Sequence, residues 1–407
     1  MGHIFSMQAI SKMPKISHLV FLFSISITTL SIIPAIFPSL YSSFDRTSPI
    51  TTAPQFNLEI NSFEPGIFFF PIIVTGVLVL AVAIIIKLKS IKLPSIDFPK
   101  KYSFIAMIVI LSAFTALSYE GINSEDLHED WKLVKVATEN WPPEQIGWNN
   151  SVTLFLLSSS FLIFGNHRVI PFLASASLLV ATYLFTNKIT NNRLAGVIAS
   201  VIVLQSNLFL SFSSTPSYTI FWILFYLVSL YLTFHKTWFL SPIAFIVSIS
   251  SKPLSATFFP ISIFLILNSE ISIKKKIILS LSMVIIIILG ISVVGDHGQD
   301  WDWNGFWNGF VSLSYQMRYD GLIIAFLIPT IAGLYFISKN NRYANTVSIM
   351  ISGVLISNPL LLAMTDFTSQ PYRFIPIVVF FAIGVGMILA NQKDKEKTVK
   401  EVSRKSK

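Results

Sequence analysis

Cysteine is absent from the 407-residue chain, and charged residues are scarce, at 12%. The missing cysteine excludes disulfide frameworks and thiolate chemistry. Soluble globular proteins carry about 25% charged residues, so this chain has about half of the usual charged surface. Hydrophobic residues make up 53% of the sequence and the mean hydropathy is +0.69. This composition excludes a disordered chain and points to a membrane protein.

Long apolar runs recur along the chain. Most have about 17 to 25 residues, which is the length that crosses a hydrocarbon core of about 30 Å. They predict an all-α polytopic membrane protein with about 12 transmembrane helices. The predicted spans are 17–40, 67–86, 103–119, 169–185, 194–212, 217–234, 237–251, 253–269, 277–295, 321–338, 344–364 and 372–391.

The loops between these spans carry opposite charges on the two sides of the predicted membrane. With both termini in the cytoplasm, the inner side holds 22 of the 29 cations and 5 of the 20 acids, a net charge of +17. The outer side is then −8. Because cations in short loops remain in the cytoplasm, we expect a multi-pass plasma-membrane protein with its long polar loops outside. A nucleic-acid-binding face is not expected, since the cations are spread over short loops.

The apolar run 151–164 has only 14 residues, which is short for a span. Counting it as a span removes the charge asymmetry from one half of the chain. We therefore predict that 120–168 forms one long outer loop that contains a membrane-dipping helix. The alternative is that 151–164 crosses the membrane and one N-terminal helix does not.

Three regions follow from this topology. Residues 1–102 form an N-terminal transmembrane pair with a basic inner loop, and the first run lacks the small-residue exit of a cleaved signal peptide. Residues 103–391 form the main transmembrane module, with a second long outer loop at 295–320. Residues 392–407 form a basic cytoplasmic tail.

An acidic cluster directly follows the span 103–119. It contains Glu125, Asp126, His128, Glu129 and Asp130. Crowded carboxylates raise one another's pKa, and one that lies against apolar surface can act as a general base near neutral pH. Glu125, Asp126 and His128 are also candidate ligands for a divalent cation such as Mg²⁺ or Mn²⁺. The alternative is that these acids only make an outer loop polar.

The order of features around this cluster resembles the GT-C class of membrane glycosyltransferases, which includes protein O-mannosyltransferases and lipid A aminoarabinose transferases. An acidic pair just outside a span is followed by a stretch ending in Ala-Thr, by Pro-Pro, and by an apolar run closed by Phe-Gly. The matching pieces are LHEDWKLVKVAT (127–138), WPPEQ (141–145), 161–212, ISSKPLSATFFP (249–260) and QPYRFIPIVVFFAIGVG (370–386). The resemblance covers roughly residues 103–390.

This resemblance implies transfer of one sugar from a polyprenyl-phosphate carrier to an acceptor hydroxyl on a protein, lipid or glycan, with inversion and with or without a metal ion. The class's general base corresponds to Glu129 or Asp130, with Asp126 as the next choice. The leaving lipid phosphate needs cations at the outer surface, and few cations lie there. Arg373 and Lys252 are the candidates, and the neighbouring Tyr372 is a further predicted substrate-binding residue. Their alternative role is that of anchors at helix ends. Arg168 and Arg318 are weaker candidates.

The second outer loop is rich in aromatic residues. Trp301, Trp303 and Trp307 alternate with acids and amides, a pattern typical of a surface that stacks on sugar rings. An aromatic belt at the bilayer interface is the alternative. The string DWDWNG lacks the glutamate that closes an EF-hand calcium loop.

One feature of the GT-C class is missing. Many members carry a second acid in the next outer loop, but the loop 211–219 here has none. A second metal ligand would then come from elsewhere, with Asp300 and Asp302 as candidates. The same gap fits a non-catalytic subunit derived from such enzymes. A transporter is a further alternative, although the predicted spans carry almost no charge at their centres.

Overall fold

The computed structural model describes residues 2–36, 98–123, 150–294, 301–317, 320–339, 341–364 and 371–389, with a few positions in 74–78 and 135–138. All regular structure in these segments is helical, and no strand occurs among them. The helices are α1 Gly2–Ile36, α2 Lys100–Asn123, α3 Ser151–Phe164, α4 Val169–Thr190, α5 Arg193–Gln205, α6 Asn207–Phe212, α7 Thr219–Leu232, α8 Ser241–Ser251, α9 Phe259–Asn268, α10 Ile273–Val294, α11 Trp303–Met317, α12 Gly321–Ile337, α13 Tyr343–Met364 and α14 Ile375–Leu389. Short 3₁₀ turns occur at Trp238–Leu240, Pro253–Phe258 and Pro371–Phe374.

Five described helices are long and apolar enough to cross a membrane. They are Lys15–Pro34, Lys100–Asn123, Val169–Thr190, Tyr343–Met364 and Tyr372–Leu389. Several other predicted spans are shorter apolar helices, and the predicted span 67–86 lies almost entirely outside the described residues. The chain is therefore a helical membrane protein, with five spans supported by length and composition.

Two predicted elements have a different form in the structure. The span predicted at 194–212 is broken at Ser206, whose backbone is extended and whose side chain accepts the N–H of Phe209, 3.2 Å away. The loop predicted at 295–320 contains the helix α11. The apolar and aromatic residues of this helix recur at helical spacing, whereas the sequence interpretation placed them in a loop with an aromatic surface for sugar rings.

The helix α14 lies in the interior of the bundle, in contact with α5 and α12. A Cβ added to Gly386 would lie 2.5 Å from the carbonyl oxygen of Ala195, so α14 and α5 are in very close contact there. The Cβ position of Gly384 lies 3.0 Å from Thr330 on α12. Almost the whole of α14 is buried, which explains why its sequence is apolar on every side.

Basic loops meet at one end of the bundle, which we call the basic end. Arg193 donates to the carbonyl of Phe98 at 3.5 Å, and Asn341 donates to the carbonyl of Ile189 at 3.3 Å. Arg342 pairs with Glu270 at 2.7 Å. These contacts join predicted inner loops that are far apart in the sequence, as the charge-based topology requires.

The predicted outer loops meet at the opposite end, which we call the polar end. Ser213 donates to the hydroxyl of Ser118 at 3.1 Å. The helix α3 has both of its termini here, because Thr153 donates to the carbonyl of Ser251 and Asn166, just after α3, donates to the carbonyl of Ile122, each at 3.0 Å. A helix held in this way does not cross the bundle.

Candidate functional site

The predicted catalytic acids Asp126, Glu129 and Asp130, and the metal candidates Glu125 and His128, lie outside the described residues. The structure does describe the chain on both sides of them. On one side α2 ends at Asn123, and on the other side Lys135, Val136 and Thr138 are helical. Both flanks lie at the polar end of the bundle.

Three consecutive residues after α3 contact both flanks. Asn166 donates to the carbonyl of Ile122, and Arg168 donates to the carbonyl of Gly121 at 2.6 Å. The ring of His167 lies 3.0 Å from the hydroxyl of Thr138. Arg168 is 8% exposed, so its guanidinium lies buried at the carboxyl end of α2, where the helix dipole favours a cation. The sequence suggested Arg168 only as a weak phosphate ligand, and the structure gives it this helix-capping contact.

The loop after α6 is buried and rich in hydroxyl groups. Ser213, Ser214, Thr215 and Ser217 are each at most 6% exposed. Ser175 donates to the carbonyl of Ser213 at 2.5 Å. The loop packs against the end of α2 through the side chains of Ser213 and Ser214.

Lys252 lies between α8 and the 3₁₀ turn Pro253–Phe258. Its ammonium group lies 4.7 Å from the ring centroid of Tyr218, at the end of the hydroxyl-rich loop. Such a cation–π contact holds the lysine side chain at the polar end. Lys252 therefore lies at the same end of the bundle as the hydroxyl-rich loop.

Tyr372 and Arg373 lie in the 3₁₀ turn Pro371–Phe374 that precedes α14. The Tyr372 ring is 1% exposed and packs edge-on against Phe212, with ring centroids 6.0 Å apart. This buried ring anchors the turn, which also contacts α6 and α11. Arg373 is therefore carried by a fixed segment at the polar end, beside the aromatic helix.

The three predicted tryptophans form one aromatic cluster with Phe306 and Phe310 of α11. Trp301 and Trp303 are 42% and 63% exposed, and their ring centroids lie 5.3 Å apart in an edge-to-face arrangement. Phe306 lies 5.3 Å from Trp307 and 5.6 Å from Trp301. The cluster offers aromatic faces to its surroundings, which suits either a sugar or the bilayer interface.

Asp302 serves as the amino-terminal cap of α11. Its two carboxylate oxygens accept the backbone N–H groups of Asn304 and Gly305, at 2.9 and 2.8 Å. A capping carboxylate stabilises the helix start, so this structure uses the residue that was considered as a second metal ligand for a different purpose. Asp300 lies outside the described residues. Within the described segments, no group of three His, Cys, Asp or Glu side chains could hold a metal ion.

Asp320 is a buried acid that the sequence interpretation did not select. It lies between α11 and α12 and is only 6% exposed. Burial raises the pKa of this carboxyl, and the Ser206 hydroxyl together with the N–H groups of Ile323 and Leu322 partly offsets that rise. The only signal in the sequence was an aspartate before an apolar run, which is typical of any helix cap.

Comparison with known proteins identifies no relative, because no family model, no curated protein and no solved structure matches the chain.

Proposed function

We propose that this protein is a membrane glycosyltransferase, a hexosyl or pentosyl transferase that uses a polyprenyl-phosphate sugar as its donor. The acceptor is a hydroxyl group on a protein, lipid or glycan, and the reaction takes place at the extracytoplasmic face of the plasma membrane. One observation supports this proposal most: Arg373, Lys252, the aromatic cluster and both flanks of the acidic segment share one end of the bundle.

The chemistry assigns a role to each group. Glu129 or Asp130, or else Asp126, removes the proton from the acceptor hydroxyl. The oxygen attacks the anomeric carbon from the side opposite the phosphate, and the bond between that carbon and the phosphate oxygen breaks, so the configuration inverts. The bonding electrons leave with the lipid phosphate. Arg373 and Lys252 stabilise its negative charge.

The aromatic cluster and the exposed apolar surface at the end of α3 suit such a donor. Trp301, Trp303 and Trp307 supply flat faces for a sugar ring, while the polyprenyl chain stays in the surrounding lipid. Phe161, Leu162, Ile163 and Phe164 at the end of α3 are each at least 38% exposed at the polar end. These apolar side chains favour contact with membrane lipid there. A divalent cation, Mg²⁺ or Mn²⁺, remains part of the proposal only through Glu125, Asp126 and His128.

A non-catalytic subunit derived from such enzymes is the second candidate. Two observations favour it: the loop 211–219 has no acid, and Asp302 is occupied as a helix cap. A transporter fits less well, because the cations and acids of the five described spans lie at or near the ends of those spans rather than at their centres.

Reconstitution separates these candidates. The purified protein is incorporated into liposomes with polyprenyl-phosphate hexoses and pentoses, and sugar transfer is measured. We expect at least one of Glu129→Gln, Asp130→Asn and Asp126→Asn to lower the rate by ~10² or more, the contribution of a general base. Glu120→Gln, at an exposed acid on the last turn of α2, is the matched control and keeps the parent rate.

Two results would count against the proposal. Absence of transfer from every donor in correctly inserted protein favours the non-catalytic subunit. Transfer that persists in all three carboxamide variants refutes the assignment of the base, because no other acid of the segment was given that role.

A further inference from the structure

We infer that Asn166, His167 and Arg168 form a positioning clamp. This clamp holds together the two flanks of the acidic segment, residues 125–130, and its expected effect on catalysis rests on the proposed function. The three residues are consecutive, yet their partners are Gly121 and Ile122 on one flank and Thr138 on the other. The chain between the two flanks therefore starts and ends at the same small region of the structure.

The clamp is itself held rigidly by α3. Ser160 donates to the carbonyl of Asn166 at 2.6 Å and accepts the N–H of Ile170 at 3.1 Å. The side chain of Asn166 also accepts the N–H of Arg168 at 2.8 Å, which fixes the local turn. The ring of His167 stacks on Phe161, with centroids 4.6 Å apart.

The second flank is held from two directions. The hydroxyl of Thr138 contacts the ring of His167, and the carbonyl of Thr138 accepts a hydrogen bond from Ser158 at 3.1 Å. Thr138 is 3% exposed, and His167 is 7% exposed. A broken hydrogen bond at such a buried place leaves a polar group without a partner, which costs more than the same loss at the surface.

Both the charge and the planar shape of the Arg168 guanidinium contribute to its contact with the first flank. A guanidinium bonded to the last carbonyls of a helix satisfies acceptors that have no partner within the helix, and it opposes the negative end of the dipole. Lysine has one donor centre instead of a planar fork, so it reproduces the charge but not the geometry. Arg168 is thus a positioning residue in this proposal, since it acts on the backbone of α2.

A distance measurement tests the clamp without relying on activity. The chain has no cysteine, so a variant with Tyr119→Cys and Val136→Cys carries nitroxide labels at these two positions and nowhere else. The side chains of Tyr119 and Val136 are 60% and 61% exposed. We expect one narrow distance distribution in the parent and a broader or shifted one in Thr138→Val, which removes the hydroxyl but keeps the shape. Thr138→Ser keeps a hydroxyl and restores the parent distribution.

Arginine variants give the matched comparison for the other flank. Arg168→Lys is expected to broaden the distribution, whereas Arg193→Lys, at an arginine that contacts a backbone carbonyl at the basic end, leaves it unchanged. An unchanged distribution in both Thr138→Val and Arg168→Lys overturns the clamp.

Activity is the second readout. Loss of one buried hydrogen bond corresponds to about a fivefold change. The Thr138 hydroxyl bonds both the ring of His167 and the carbonyl of Lys135, each at 3.0 Å. Thr138→Val removes both bonds, so it should lower kcat by at least about fivefold with little change in the KM for the donor, and Thr138→Ser should recover most of it. If the distances broaden but the parent transfers no sugar, the clamp stands and the proposed function fails. If the parent is active but the distances never change, the proposed function stands and the clamp fails.

Discussion

Asp320 shows how one side chain can link several helix ends. It precedes α12, contacts the Ser206 hydroxyl at the break between α5 and α6, and lies at the level where α14 begins. Gly384 of α14 lies beside Thr330 of α12 and Ile388 lies beside Gly333, so the two helices run parallel and begin at the same level. A buried carboxyl at this junction makes the stability of the bundle depend on pH.

We expect Asp320→Asn to stabilise the protein at neutral pH. Burial raises the folded-state pKa of Asp320 above 3.8, so the folded protein keeps the proton to a higher pH than the unfolded chain. The parent is then most stable below the unfolded-state pKa and loses stability as the pH rises through the folded-state pKa.

Asparagine in the Asp320→Asn variant cannot ionise, and its side-chain carbonyl can still accept a hydrogen bond from Ser206. Thermal unfolding in detergent, measured from about pH 4 to about pH 8, should show a Tm difference that grows with pH. A variant that is destabilised equally at every pH would show that the carboxylate is required for its hydrogen bonds.

At the scale of elements, the packing of α11 on α13 depends on two glycines. A Cβ at Gly305 would lie 2.3 Å from the carbonyl oxygen of Leu362, and one at Gly309 would lie 2.4 Å from the Cα of Pro359. Asn358 also donates to the carbonyl of Gly309 at 2.9 Å. Helices in membranes pack closely where small residues let the backbones approach. This contact holds the helix that carries the aromatic cluster.

Gly309→Ala tests that contact, and Gly321→Ala is its control. The added methyl at Gly309 meets backbone atoms that cannot rotate away, so we expect a loss of about 1–3 kcal/mol and a lower Tm. At Gly321, the first residue of α12, nothing lies within 4 Å of the added carbon, so the Tm should stay the same or rise slightly. Because α11 must shift in Gly309→Ala, tryptophan fluorescence should also change. Equal Tm values for the two variants would contradict the close packing of α11 on α13.

The same elements show what the sequence could predict. The apolar runs predicted a helical membrane protein, and the charge of the loops predicted which loops meet, as the contacts of Arg193 and Asn341 show. Local patterns failed where tertiary contacts decide the structure. The break at Ser206 depends on the cap made by its own side chain and on its contact with Asp320, and a hydropathy pattern reports neither. The helix α11 left a signal in the helical spacing of its apolar residues, but the sequence interpretation placed this segment in a loop. For 151–164, the short apolar run and the charges of the loops together predicted a helix that does not cross, although hydropathy alone does not show where its two ends lie.

The candidate site was predictable only in part. Lys252, Arg373 and the tryptophans were chosen from residue type and predicted side, and the structure places them at the polar end. The roles of Asp302 and Arg168 could not be read from sequence, because a carboxylate that caps a helix and one that binds a metal look alike in a loop. Contacts such as those of His167 and Thr138 join residues 29 positions apart, and single-sequence patterns do not encode such pairs.

At the scale of the whole molecule, the arrangement of α3 and α4 predicts which positions can be labelled from each side of the membrane. If α3 lies at the polar end and α4 crosses the membrane, Ser151 and Lys188 face opposite sides. In intact cells that express the cysteine-free parent, an impermeant maleimide should label Ser151→Cys, and it should label Lys188→Cys only after permeabilisation. Thr237→Cys, at the basic end, is the control and should behave like Lys188→Cys.

If α3 crossed the membrane as well, two crossings would separate Ser151 from Lys188, and both positions would be labelled from the same side. The hydrogen bonds from Thr153 to Ser251 and from Asn166 to Ile122 exclude that result, because both ends of α3 are tied to one end of the bundle.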